Sequence, residues 1–134
     1  MKMTLSIHGD QTIHQVQENF RTFFSHLKPE FYHKPHPMGK GNMKQEQYLH
    51  NVLMKELMNA PFLEIEFDGH EPTGSFEAML EAAYGLHVQI FRLQHNTWLQ
   101  TTQSDGLTLI EQNEKGKLAS EKPVADSPED VDYQ

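Results

Sequence analysis

The chain reads as one short plan written twice. Each copy runs strand, tight turn, amphipathic helix, strand. In the first, "LSIHGD" leads into Ile13, Val16, Phe20, Phe23 and Phe24 at helical spacing, and "KPEFY" follows as a strand. In the second, "LEIEFD" leads into Phe76, Met79, Leu80, Ala83 and Tyr84, and "HVQIFR" follows. Val16, Phe20 and Phe24 match Phe76, Leu80 and Tyr84 in order. Two βαβ halves in tandem predict an α+β domain with a ferredoxin-like sheet, whose right-handed crossovers would set both helices on one face. A helix inserted between the halves and one extra hairpin strand complete this reading. A ubiquitin-like β-grasp around a single helix is the alternative.

Local signals sharpen the plan. Thr12 and Gln15 form a capping box at the start of a helix over 12–25. Pro35, Pro37, Gly39 and Gly41 break both regular periods, so 33–41 reads as a loop. Leu49, Val52, Leu53 and Leu57 share one helical face, which predicts the inserted helix over 43–58, stopped by Asn59 and Pro61. In "FLEIEFDG", Leu63, Ile65 and Phe67 alternate with Glu64 and Glu66, a strand with one face inward. Gly85 stands where a helix closes in left-handed backbone. "LHVQIFRL" is apolar on both faces, which marks a central strand. "HN" turns the chain into "TWLQTTQ" as a hairpin partner, with Asn96 the residue that tolerates positive φ. Phe20, Ile65, Leu80 and Ile90 are expected to meet in the core. Residues 108–112 allow one short helical turn. From Glu114 onward charge, proline and serine dominate, so the expected organisation is a domain over 1–113 and a disordered acidic tail over 114–134.

Composition narrows the function classes. At 134 residues the chain can bury roughly 65% of its unfolded surface, enough for a real core. A formal charge of −8 opposes general nucleic-acid binding, which needs a positive field. No apolar run approaches the ~20 residues that cross a bilayer, and the N-terminus has no secretory h-region. With no cysteine, thiol chemistry and disulfides are excluded, and a reducing, cytoplasmic setting fits.

Four stretches carry candidate chemistry. "FYHKPHPMGKGN" places His33 and His36 close enough to share a metal ion, with His26, His8 or Asp10 available to complete a shell if the fold brings them in. The loop lacks a carboxylate and fixed geometry, so solvated histidines are the simpler reading, and no metal or cofactor is expected. Lys28, Lys34, Lys40 and Lys44, with Phe31 and Tyr32 between them, resemble a single-strand nucleic-acid surface. "GKGN" fails the phosphate-loop spacing. Asp68, His70 and Glu71 in "EFDGHE" have acid–base character, but Asp-Gly turn chemistry accounts for them. Trp98 on the hairpin strand is the candidate interaction residue, because aromatics are enriched at interfaces. Tyr84 and the methionines Met43, Met54 and Met58 fit the core better than a groove.

"VQIFRLQHNTWLQTTQSDGLTLIEQNEKG" resembles the C-terminal part of a family of small bacterial α+β proteins, in which a hairpin of the form VQxFR…WLxTT precedes TLxEQNxxG. "QTIHQVQENFRTFF…EFY" is similar to the N-terminal helix and strand of the same family, so the likeness covers most of 5–116. It implies the fold and no activity, since the family brings no catalytic residues. The sequence thus points to a non-enzymatic interaction or accessory domain. Its partner would be another protein or a second copy of itself, with no membrane. Histidine-based metal or small-ligand binding is the alternative, and single-stranded nucleic-acid binding through residues 28–44 is the weaker one.

Overall fold

A computed structural model describes residues 2–34 and 46–121. Among them the order is β1 (Lys2–His8), α1 (Ile13–Arg21), β2 (Leu27–Tyr32), a 3-10 turn (Met54–Glu56), β3 (Phe62–Asp68), α2 (Thr73–Tyr84), β4 (His87–Gln94), β5 (Thr97–Gln100), a second 3-10 turn (Thr102–Ser104) and α3 (Leu109–Glu121). The architecture is α+β, with three helices and two small antiparallel sheets, consistent with the ferredoxin-like class. β1 pairs with β3 in one sheet, and the other runs β2-β4-β5. The appended hairpin strand is β5.

The two halves interlock. Val16 matches Phe76 at an offset of 60, which matches Leu5 with Ile65, and those two residues face each other across β1 and β3. In the second strands the offset is 59, one less than in the first. It matches Glu30 with Gln89, and these also face each other, across β2 and β4. A pseudo-two-fold axis therefore passes through both pairs. Each sheet takes one repeat strand from each half. β1 and β2 lie in different sheets, so neither half closes a crossover within a single sheet.

Helix ends follow the local signals. Gln15 N–H donates to Thr12 Oγ1 at 3.1 Å and Thr12 N–H to Gln15 Oε1 at 2.8 Å, which satisfies two donors that a helix start leaves open. Thr108 and Glu111 repeat the device at the start of α3, at 3.0 and 2.9 Å. Gly85 adopts φ 69°, and its N–H returns to the Glu81 carbonyl at 2.9 Å. That backbone strains any residue with a Cβ. In the β4–β5 turn it is His95, not Asn96, that takes positive φ, at 55°.

The core lies between the helices and the inward faces of both sheets. Phe20, Ile65, Leu80 and Ile90 are all buried within it. Phe67 joins the halves, with ring centres 5.9 Å from Phe20 and 5.0 Å from Phe76. Met54 and Met58 are buried there too, while Met43 lies outside the described residues.

Two expectations change. The inserted helix is only the 3-10 turn Met54–Glu56 within the described part of 43–58. Residues 46–53 spend their backbone groups on tertiary bonds: Ile13 and His14 N–H donate to the Val52 and His50 carbonyls, and Tyr48 N–H donates to the Phe31 carbonyl. A helix would have consumed those carbonyls internally. The second change is the tail boundary. Residues 114–121 belong to α3, which docks on β4 through Gly116. A Cβ there would sit 2.6 Å from the Leu93 carbonyl oxygen. The folded part accordingly extends at least to Glu121, and 122–134 lie outside the described residues.

Candidate functional site

The candidate site is one face of the β2-β4-β5 sheet. Strand alternation sends Leu27, Phe31, Val88 and Ile90 into the core. The register puts Lys28 opposite Phe91, Glu30 opposite Gln89, Tyr32 opposite His87, and Leu93 opposite Trp98, so these eight share the other face. The outer part of that face is apolar and half-exposed: Phe91, Leu93 and Trp98 all remain partly open to solvent. The part at the pseudo-axis is polar and buried.

Two cations converge on the Trp98 indole. Lys28 Nζ lies 4.6 Å from a ring centre and the Arg21 guanidinium carbon 5.1 Å, both within cation–π range. Lys28 is also paired with Glu30 at 2.8 Å. Arg21, at the end of α1, donates its Nε–H to the Ser25 carbonyl at 3.0 Å and has Glu18 at 3.9 Å.

Glu30 is buried, yet well partnered. Besides Lys28 it meets His50 Nε2 at 2.9 Å from each carboxylate oxygen. A buried carboxylate needs such partners to remain charged. Tyr32 lies two residues on, its hydroxyl donating to Gln47 Oε1 at 3.1 Å. Burial, and then the nearby Glu30 and Glu77 charges, push the Tyr32 phenol above its ordinary pKa. It stays a neutral donor at any physiological pH.

Matched positions of the two helices cover the sheet where strand partners run out. Gln17 and Glu77 each stand four residues into their helix. Gln17 Nε2 donates to the Pro29 carbonyl at 2.7 Å, and Glu77 Oε2 accepts from Ile90 N–H at 2.7 Å. Glu77 also accepts from Gln89 Nε2 at 3.3 Å. Gln89 Oε1 is the orphan of this network, a buried acceptor with no hydrogen-bond partner among the described residues.

The histidines scatter. His33 stacks on Tyr48 with ring centres 3.7 Å apart, His8 lies on Phe62, and the His26 N–H binds Asn113 Oδ1 on α3. His36 lies outside the described residues. Among the described residues no three histidines, aspartates or glutamates are placed to hold a metal ion. His33 and Tyr48 instead help line an open cleft of about 500 Å3 with Gln47, Leu49, Val52, Leu53 and Glu56. Lys28 and Lys34 each sit on a carboxylate, Glu30 and Glu46, which blunts a positive field there. Lys40 and Lys44 lie outside the described residues. Asp68 and His70 form an exposed turn: Asp68 Oδ1 accepts from His70 N–H at 2.8 Å and lies 3.0 Å from its Nδ1. Tyr84 is half-buried against the core.

Sequence reasoning reached Trp98 and the lysine beside it, but missed Arg21, Glu30, His50 and Gln89. The matched polar pair Gln17 and Glu77, on otherwise apolar helix faces, was a signal open to the repeat alignment. His50 offered none, since it meets Glu30 across 20 residues of chain.

Comparison with models of known families, with curated proteins and with solved structures finds no match. Among the described residues no helix is long and apolar enough to cross a membrane.

Proposed function

We propose that this chain is a non-enzymatic interaction domain that binds another protein through the Trp98 face. The observation that carries the reading is the cluster itself. Phe91, Leu93 and Trp98 lie side by side on a sheet face, half-exposed, with Arg21 and Lys28 against the indole. Aromatic residues and arginine are the types that dominate binding energy at interfaces. A fitting partner offers an apolar side chain beside a carboxylate. The lack of cysteine suits a reducing compartment, and we place the role in the cytoplasm.

We also propose membership in the bacterial family that the sequence resembles. What supports it is that the quoted segment spans one unit, the β4–β5 hairpin followed by α3.

The test is site-specific photo-crosslinking of the full chain in the cells that make it. A photoreactive group at Gln100, which is exposed and shares the Trp98 face opposite Phe91, is expected to give a discrete protein adduct. Trp98→Ala should abolish it, and the same group at Glu64 on the other sheet should not produce it. Identical adducts from both positions, unchanged by Trp98→Ala, would refute the reading.

A second reading, small-ligand binding beside His33, has the cleft in its favour. It predicts that an apolar fragment library shifts Tyr48 and Val52 resonances in a saturable way. If only scattered surface resonances move, the cleft is an ordinary surface groove.

A further inference from the structure

We propose that the acidic segment 122–134 of this same chain is the resident occupant of the Trp98 face. The inference rests on the reading of that face as a docking surface, and adds what covers it when no partner is present.

Three observations point there. The first is where the described chain ends. Ser120 Oγ, in the last turn of α3, accepts a hydrogen bond from His95 N–H in the β4–β5 turn at 2.7 Å. Residue 122 therefore starts at the hairpin end of the sheet, and Trp98 is three residues from that turn. At about 3.3 Å per residue the hairpin covers this separation in roughly 10 Å.

The second is reach. Residues 122–134 number thirteen. Extended, they span roughly 40 Å, several times the distance needed to round the hairpin and lie across the face.

The third is charge. The segment carries Asp126, Glu129, Asp130 and Asp132 against a single lysine, Lys122. The rest of the chain, residues 1–121, is itself acidic, at −5 from 10 Lys and Arg against 15 Asp and Glu, so an acidic segment is repelled from most of that surface. Arg21 and Lys28 at Trp98 are two cations that oppose this repulsion, as Lys115 and Lys117 on α3 also do. Val131 and Tyr133 alternate with Asp130 and Asp132 and supply the apolar groups that Phe91, Leu93 and the indole would meet. Arg21 and Lys28 already share their charge with Glu18 and Glu30, so the contact is intrinsically weak. Tethering makes weakness sufficient, because a segment joined to the same chain can meet the face at an effective concentration of about 1 mM. A partner with a better acidic and apolar segment then displaces it.

The test uses the full chain and two conveniences of the sequence. There is no native cysteine, so Ser127→Cys takes one nitroxide label, and Trp98 is the only tryptophan, so its indole N–H gives one resonance. At low salt the indole signal should lose most of its intensity relative to the reduced label. It should recover at high salt, and also when Asp126→Asn, Glu129→Gln, Asp130→Asn and Asp132→Asn are combined. None of the elements described above contains those positions, and the unchanged dispersion of the remaining amide resonances checks that the fold is kept. Full intensity at low salt with the native charges would overturn the proposal. So would attenuation that persists in the neutralised variant. Attenuation that grows with protein concentration, or that appears when labelled and isotope-enriched copies are mixed, would overturn it in favour of a second copy. None of these readings needs a partner, so failure here leaves the crosslinking result standing on its own.

Discussion

His26 shows how one side chain reports three elements. Burial lowers its pKa from the ordinary 6.5, the Arg21 and Lys117 charges lower it further, and Glu121 opposes them. The folded state thus holds fewer protons on His26 than the unfolded chain does. Its stabilising contribution is complete above 6.5 and is lost as the pH falls through the folded value. A proton NMR titration should place the His26 midpoint below 6.5. Glu121→Gln should move it down and Arg21→Gln up, and a midpoint above 6.5 would contradict this geometry. Asp68 behaves alike at lower pH. Hydrogen bonds from the His70 backbone and ring hold it at about 2, so its share of stability fades between 3.8 and about 2. Gln112 makes a different residue-scale claim. It is fully buried, accepts from Arg92 Nη1 at 2.8 Å and donates to the Ser104 carbonyl at 2.6 Å. Arg92 hydrogen-bonds to the neutral side-chain acceptors Gln94, Ser104 and Gln112. Gln112→Ala should cost about 1.5–3 kcal/mol in denaturant titration, the range for a hydrogen bond to a charged group.

At the scale of elements, α3 and the segment before β3 show where sequence reading succeeds and fails. Thr12 with Gln15 was legible because a capping box lies within four residues. The Thr108 and Glu111 box was equally local, yet the helix it opens was cut short, because 114–121 offers Leu118 as its one large apolar side chain and that is exposed. What docks α3 is the absence of a side chain at Gly116, which lets the helix backbone approach Leu93. A hydrophobic pattern cannot display that. In residues 46–58 the pattern was helical but the backbone had other obligations, to α1 and to the edge of β2. Tertiary demand overrode a weak propensity. Two substitutions check these accounts. Thr108→Ala should lower stability by about 1 kcal/mol through the lost cap. Gly116→Val should detach α3 from β4, seen as faster amide exchange in Leu109–Glu121 while β1 and β3 stay protected.

For the whole molecule the interlock decides behaviour. Phe20 and Phe76, one from each half, share Phe67 as a neighbour. Loss of α1 therefore uncovers Phe67 on the other half's strand. Unfolding is expected as one transition, with Trp98 fluorescence and far-ultraviolet circular dichroism coinciding. Phe20→Ala should shift both together, by about 2–5 kcal/mol. Separate midpoints would show that the sheets melt independently. The shared α+β class and the tandem halves were legible from the repeat, whereas the pairing of halves was not. Periodicity says which face of a strand is buried and is silent on which strand lies beside it.

That pairing bears on how such a chain can arise. A lone half, one strand–helix–strand unit, has no partner for either strand, and its Leu5 or Ile65 position would lose its neighbour across the ladder. Two copies of it, however, would meet across the same axis that now joins Leu5 to Ile65 and Glu30 to Gln89. The association of such units is second order in protein, so their folding would depend on dose. Joining them in one reading frame makes the encounter first order. The connection through residues 46–58 is thus a device against dilution. Cutting it would turn a concentration-independent protein into one that assembles only when abundant.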